Sequence, residues 1–206
     1  MNTWQLYLLS QEDQNSALSY HYDEAYKCWH SVWNEALQEL DGKNNLHSDD
    51  FLRQECISTI FDSTECVGMA LFHKLNFERE ASWKDSYFQA WPIASLQNLC
   101  QDGSTVLVAS YVTVAKKYRG VFEGLSVKNI ISELGVQLLL SSDCSVMSGT
   151  MRNNRGMNKV AYTTGATLIQ ENVSFHGVNV DLVGYYKKNI LSNGLQASFT
   201  AKSLWR

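Results

Sequence analysis

One run of residues constrains this chain more than any other. Thr105 to Val114 reads TVLVASYVTV. It is β-branched and apolar with little polar alternation, the pattern of a central strand covered on both faces. The stretch Lys116-Lys117-Tyr118-Arg119-Gly120-Val121-Phe122-Glu123-Gly124 follows as a loop. A helix comes next, with Val127, Ile130, Ile131, Leu134 and Leu138 predicted inward. A strand–loop–helix junction exposes unpaired N–H groups at the positive end of the helix dipole. Glycines let backbone approach an anion closely, and Lys116, Lys117 and Arg119 add positive charge. Taken alone, the loop reads better as a solvated basic connection between strand and helix.

Composition narrows the classes. In 206 residues the hydrophobic share is 45% and the charged share 18%, enough to bury a core. The net charge of −4 excludes nucleic acid as a main ligand and leaves an anionic partner to a local basic patch. Cys28, Cys56, Cys66, Cys100 and Cys144 show no CxxC and no ligand spacing with histidine. They read as free thiols in a reducing cytoplasm, with neither a disulfide framework nor a metal site. The beginning MNTWQ lacks a signal-peptide pattern, and no apolar run reaches the length of a membrane span.

Trp4 to Leu9 predicts a first strand. Tyr22, Ala25, Tyr26, Trp29, Val32, Trp33, Ala36, Leu37 and Leu40 form the stripe of a long amphipathic helix stopped at Asp41-Gly42. Its aromatic residues read most simply as core, with the lining of a ligand pocket as the functional alternative. Ser48 is read as the cap of a second helix with Phe51, Leu52, Cys56, Ile57 and Ile60 inward. Glu65 to Phe77 predicts a strand. Ala81 to Cys100 reads as mostly helical, with Pro92 breaking or beginning a segment. Ser145 to Thr150 reads as a strand and Arg155 to Thr164 as a short helix ended by Gly165. A hairpin closes the pattern about His176-Gly177. The expected class is α/β, a three-layer α+β domain with a mixed sheet. Residues 1–190 are expected to form a single domain and 191–206 a tail or appended helix.

Two segments in this order resemble the GNAT (Gcn5-related N-acetyltransferase) superfamily. Val112 through Arg119, Gly120 and Gly124 is similar to the family's V-x-P-x-x-R-G-x-G-x-G before a helix. Asn154 through Gly165-Ala166 is similar to its N-x-x-A-x-x-x-Y-x-x-x-G-F. The likeness covers about residues 105–188. Phe122 stands where the family has its middle glycine. Tyr162 lies three residues before Gly165 where four is usual, so strict alignment puts Ala161 in its place. Helix in place of a strand pairing back after the second strand resembles the acyl-homoserine-lactone synthases and N-acyl amino acid synthases.

The resemblance implies a mostly antiparallel central sheet flanked by helices. It also implies N-acyl transfer from a pantetheine thioester, acyl-CoA or acyl carrier protein, to a small-molecule amine such as an amino acid, without a metal. Carried over by position, Val112 and Val114 would pair with the pantetheine amides. Arg119, Gly120 and Gly124 would hold phosphate, and Asn154 would contact the pantetheine arm. Tyr162 is the candidate acid for the departing thiolate. The sequence does not identify the base: Glu65, His73, Glu78 and Tyr111 are candidates that each read first as structural, and a water chain is the alternative. The expected partners are the amine, acyl carrier protein as the other donor, and a second copy of the chain. The competing reading is a module that keeps the fold without turnover. A nucleotide-binding protein is weaker, since neither G-x-x-x-x-G-K-[ST] nor G-x-G-x-x-G occurs.

Overall fold

The computed structural model describes residues 4–42, 46–122 and 125–192. Nine strands and six α-helices alternate among them, with short 3-10 turns between. Strands β1 (Trp4–Leu9), β2 (Cys56–Asp62), β3 (Glu65–Asn76), β4 (Thr105–Val114), β7 (Val146–Arg152), β8 (Thr167–Phe175) and β9 (Val178–Tyr186) form one sheet. Their order is β1-β2-β3-β4-β7-β9-β8. The β4–β7 pair is parallel, while β1–β2, β2–β3, β7–β9 and β9–β8 are antiparallel. This is the mixed, mostly antiparallel sheet of an α+β fold. Two-residue strands β5 (Val121–Phe122) and β6 (Leu125–Ser126) pair separately before helix α4 (Val127–Ser141).

The described residues gather into two compact units, one of residues 4–73 and 111–135, the other of 74–110 and 136–192. In the first, helix α1 (Ser19–Asp41) lays Tyr22, Ala25 and Trp29 against Phe51, Ile57, Phe61, Met69 and Leu71. The aromatic stripe is core at Tyr22 and Trp29 and half-buried at Tyr26 and Trp33. Gly42 ends α1 at φ 64°, its N–H bonded to the Gln38 carbonyl, a left-handed cap that a side chain would strain. In the second unit, the 3-10 turns at Glu80–Lys84 and Ser86–Phe88 and helix α3 (Ile93–Leu99) bring Phe88, Trp91, Leu96 and Leu99 onto Val106, Val108, Val146, Leu182 and Tyr186. Helix α5 (Met157–Thr163) and helix α6 (Lys187–Ser192) complete that unit. The hairpin turns at His176 (φ 47°) and Gly177 (φ 70°), two left-handed residues whose twist suits a tight β-turn.

The second expected helix is corrected. Helix α2 is only Asp49–Leu52, and Cys56 to Asp62 is strand β2 between β1 and β3. Apolar residues at 56, 57, 60 and 61 satisfy a helical stripe and a doubly covered strand alike. Pairing on both edges decides for the strand. Consequently a strand does pair back against β3, on its N-terminal side. Ser48 gives no side-chain cap; its hydroxyl shares a 2.8 Å hydrogen bond with Tyr26. On α4, Leu139 is buried where Leu138 was expected. Pro92 stands at the start of α3.

All five cysteines are free thiols. Among the described residues no helix is long and apolar enough to cross a membrane, and no three His, Cys, Asp or Glu are grouped to hold a metal ion.

Candidate functional site

The sequence-predicted residues fall in both units. Val112, Val114, Arg119, Gly120 and Glu65 belong to the first, and Asn154 and Tyr162 to the second. Gly124 lies outside the described residues.

Strand β4 carries an irregularity that no sequence pattern announced. Phe77 N–H bonds to Ser104 O at 2.8 Å at one end of its pairing with β3, and Ala115 N–H bonds to Val67 O at 2.9 Å at the other. Between these two bonds the chain advances ten positions from Val67 to Phe77 but eleven from Ser104 to Ala115. The extra residue is a bulge, and its site is Tyr111, which has φ 51° inside the strand. Thr113 Oγ1 donates to the Tyr111 carbonyl at 2.6 Å and accepts from Trp33 Nε1 at 3.0 Å, which pins the kink to α1. The Tyr111 ring stands edge-on to Trp29 and Trp33, with centroids at 5.6 and 5.0 Å. Burial, the Asp50 charge and a hydrogen bond to Asp50 all raise its phenol pKa. Tyr111 is thus a proton donor over any ordinary pH range, which does not suit a base.

Past the bulge, backbone direction alternates. Ala115 faces β3, so Val112 and Val114 turn their N–H and C=O groups the other way. The Val114 carbonyl accepts Arg119 Nε at 3.2 Å. The β4–β7 ladder covers only Val106↔Val146 to Val108↔Ser148, although β4 continues to Val114.

The basic loop begins as a 3-10 turn, Lys116–Tyr118. Lys116 pairs with Glu35 at 2.9 Å, and Lys117 pairs with Glu65. The Glu65 hydrogen bond raises the Lys117 pKa. Tyr118 is buried and donates to Asp62 Oδ2 at 3.1 Å, anchoring the turn to β2. Gly120 is exposed at φ 139°, a conformation any Cβ would strain, with nothing within 4 Å of where that Cβ would stand. Backbone there is open to approach. Glu65 sits at the exposed start of β3 with its carboxylate on Lys117.

In the second unit Asp181 organises the motif that contains Asn154 and Tyr162. Asp181 is 5% exposed. Its Oδ2 accepts from Tyr162 OH at 2.6 Å and Asn158 Nδ2 at 3.0 Å. Its Oδ1 accepts from Asn153 Nδ2 at 2.9 Å and the Asn172 backbone N–H at 3.0 Å. Asn172 reaches it from a bulge in β8, at φ 54°. Burial opposes the Asp181 charge, but hydrogen bonds led by that from Tyr162 outweigh it and hold the carboxyl down to about 2. Tyr162, 39% exposed, is pushed the other way by desolvation and by Asp181. Its proton is therefore held on an ionised carboxylate. Asn154 is exposed in the 3-10 turn Asn153–Arg155, and its neighbour Asn153 makes the anchoring contact.

Sequence reasoning missed Asp181, Asn153, Asn158 and the bulge. Asp181 did leave a signal. It is the lone acid in Val178-Asn179-Val180-Asp181-Leu182-Val183, a run otherwise fit for a buried strand.

No protein-family model matches this sequence, and no curated sequence does. Solved structures match over nearly the whole chain. FeeM, an N-acyl amino acid synthase from uncultured soil microbes, superposes with a TM-score of 0.63 at 11% identity, covering 97% of each chain. BjaI, a CoA-dependent acyl-homoserine lactone synthase solved with SAM and isopentyl-CoA, gives 0.62 at 10% identity, over 98% of this chain and 92% of its own. A mosquito arylalkylamine N-acetyltransferase, like 5b, gives 0.60 at 14% identity, over 87% and 99%. The likeness is one of fold: the chain has the GNAT fold, and its neighbours include the synthase branch.

Proposed function

We propose that this protein is an N-acyltransferase that moves an acyl group from a pantetheine thioester, on CoA or on acyl carrier protein, to a small-molecule amine such as an amino acid. The observation that carries the reading is β4. It outruns its ladder with β7, bulges at Tyr111, turns the backbone of Val112 and Val114 away from β3, and ends in a basic loop ahead of a long helix.

In this reading the phosphate end of the donor lies at the loop. Arg119 and the open backbone at Gly120 meet it, and α4 adds the positive end of its dipole. The exposed pairs of Lys116 and Lys117 are weak enough to exchange for phosphate. The donor amides pair with Val112 and Val114 as an added strand would. The amine attacks the thioester carbonyl, and a backbone N–H of β4 near the bulge stabilises the oxyanion. The nitrogen loses a proton and the C–S bond breaks, giving amide and thiol.

Glu65 and Tyr162 enter as candidate base and acid on terms set by their partners. Glu65 must leave Lys117 to accept a proton. Tyr162 must leave a phenolate beside Asp181 to give one, a like-charge pair at 2.6 Å. A thiolate is a modest base with a pKa of about 8.5 and can depart without that proton. Tyr162→Phe separates the cases: a kcat loss of about a hundredfold or more supports the acid, and an unchanged kcat refutes it. Asn154 is proposed to touch the pantetheine arm. GNAT neighbours such as BjaI were solved with a CoA thioester, which supports a donor of this class.

The reading is tested by thiol release from acetyl-, butanoyl- and octanoyl-CoA with a panel of amino acids and amines, beside thermal shift with free CoA. Turnover with any pair supports it. Binding without turnover favours a module that has kept the fold alone. Neither binding nor turnover, with carrier-protein donors included, overturns it. Arg119→Ala is expected to weaken CoA binding about tenfold, and equal affinity would remove Arg119 from the phosphate site.

A further inference from the structure

Cys28 and Cys66 are distant in sequence and meet inside the first unit, where α1 packs on the start of β3. Residues 20, 24 and 28 stand one turn apart on one face of α1. That face runs along the β2–β3 turn, where the Tyr20 phenol donates to the Thr64 carbonyl at 3.3 Å. One turn on, the Glu24 charge acts on both cysteines. A further turn on, the Cys28 and Cys66 side chains hydrogen-bond to each other. Cys66 is buried, and Cys28 is half-buried at the edge of the same apolar cluster. Cys66 Sγ also reaches the Gly68 carbonyl, at 3.8 Å.

The two thiols are unequal. The hydrogen bond from Cys66 lowers the Cys28 pKa, against burial and the Glu65 and Glu24 charges. Burial first, and then the Cys28 sulfur, raises that of Cys66. Cys28 is therefore the thiolate of the pair and Cys66 its proton donor. Burial pushes the Cys56 thiol up to about 12 and the Cys100 thiol to about 11, which keeps both protonated. A partly exposed nucleophilic sulfur in contact with a second thiol is the arrangement that a two-step oxidation to a disulfide needs.

We propose that Cys28 and Cys66 form a hydroperoxide-reactive pair that closes a disulfide and locks α1 onto β3. The Cys28 thiolate attacks one oxygen of the hydroperoxide, the O–O bond breaks, and the departing oxygen takes a proton. Cys28 is then a sulfenic acid. The Cys66 sulfur attacks the Cys28 sulfur, gives up its proton, and hydroxide leaves as water. Two thiols lose two electrons and two protons in all, and the peroxide takes them up. The bond closes a loop of about 40 residues. It also ties together the two elements that hold the basic loop, since Lys116 pairs with Glu35 of α1 and Lys117 with Glu65, the neighbour of Cys66.

The test treats the whole reduced protein with hydrogen peroxide near neutral pH and maps its peptides by mass spectrometry without reduction. Cleavage at Glu65 as well as at lysine and arginine puts Cys56 and Cys66 on different peptides. The Cys28 and Cys66 peptides are expected to be linked with loss of two hydrogens, and free thiols to fall from five to three. Cys66→Ala is expected to leave a sulfenic acid on Cys28, captured by dimedone, and Cys28→Ser to leave Cys66 a thiol. The linked protein is expected to melt about 5–15 °C above the reduced one, a gain that dithiothreitol abolishes. The wild-type map depends on neither variant folding. Absence of the link between Cys28 and Cys66, or earlier oxidation of Cys56, Cys100 or Cys144, overturns the pair. A linked protein that melts no higher than the reduced one overturns the lock.

Discussion

Replacing Asp181 by Asn probes a buried carboxylate that accepts four hydrogen bonds. Four donors converge on Asp181, from Tyr162, Asn158, Asn153 and the Asn172 backbone. An asparagine keeps one accepting oxygen for two of them and turns an NH2 toward the others. Tyr162 can rotate to accept, but the Asn158 amide then faces another donor. The carboxyl lies at about 2 against an ordinary 3.8. At about 1.4 kcal/mol per unit, that shift corresponds to about 2 kcal/mol. One donor left unsatisfied costs about 1–3 kcal/mol and overlaps with that figure, because the same hydrogen bonds lower the pKa, so the expected loss is about 2–4 kcal/mol. At about 2–4 °C per kcal/mol for a chain of this size, the melting temperature should fall by about 5–15 °C. The sign with pH is fixed by the depressed pKa. The carboxylate's contribution is complete above the unfolded value of 3.8 and is lost as pH falls toward about 2. The gap between wild type and Asp181→Asn should therefore be constant near neutrality and narrow across that acid window. Tyr162 should also ionise at lower pH in the variant, because the charge beside it is gone; absorbance at 295 nm follows that titration. Equal melting temperatures at pH 7, or a gap that stays constant into acid, would refute the account of this cluster.

Other outcomes follow from the packing of the first unit. A Cβ on Gly68 would stand 2.8 Å from the Thr113 carbonyl and from Val127 Cγ1, and 2.9 Å from Ile131 Cδ1. Gly68→Ala should cost about 1–3 kcal/mol by overpacking, read in urea unfolding, and a neutral result would mean that β4 and α4 can yield. Trp33→Phe removes the 3.0 Å bond to Thr113 beside the bulge. It should cost about 0.5–1.5 kcal/mol in stability and, if the bulge places the oxyanion donor, lower kcat more than it changes KM. A loss of stability with kinetics untouched would leave Trp33 a structural residue.

Much of this molecule is written locally. The run Thr105–Val114 is a strand because β-branched residues favour extended backbone, and α1 is a helix because its apolar stripe repeats at three and four. Gly42 and His176-Gly177 end or reverse the chain through their own backbone freedom. From such features the mixed sheet, the basic loop and the GNAT resemblance were legible. Segment 56–62 was not, because its apolar spacing serves helix and strand equally until β1 and β3 pair with it. The candidate site divides along the same line. Lys116, Arg119 and Gly120 stand out as residue types in a loop. The bulge at Tyr111 exists only as one residue too many against β3. The Asp181 cluster gathers side chains from residues 153, 158, 162 and 172, and its energy resides in their convergence. Sequence alone determined where the backbone extends, coils and turns, since sterics and periodicity act between near neighbours. Only the tertiary structure decided where the β4–β7 ladder ends and which carboxylate holds Tyr162, because those depend on registers and burial set by distant parts of the chain.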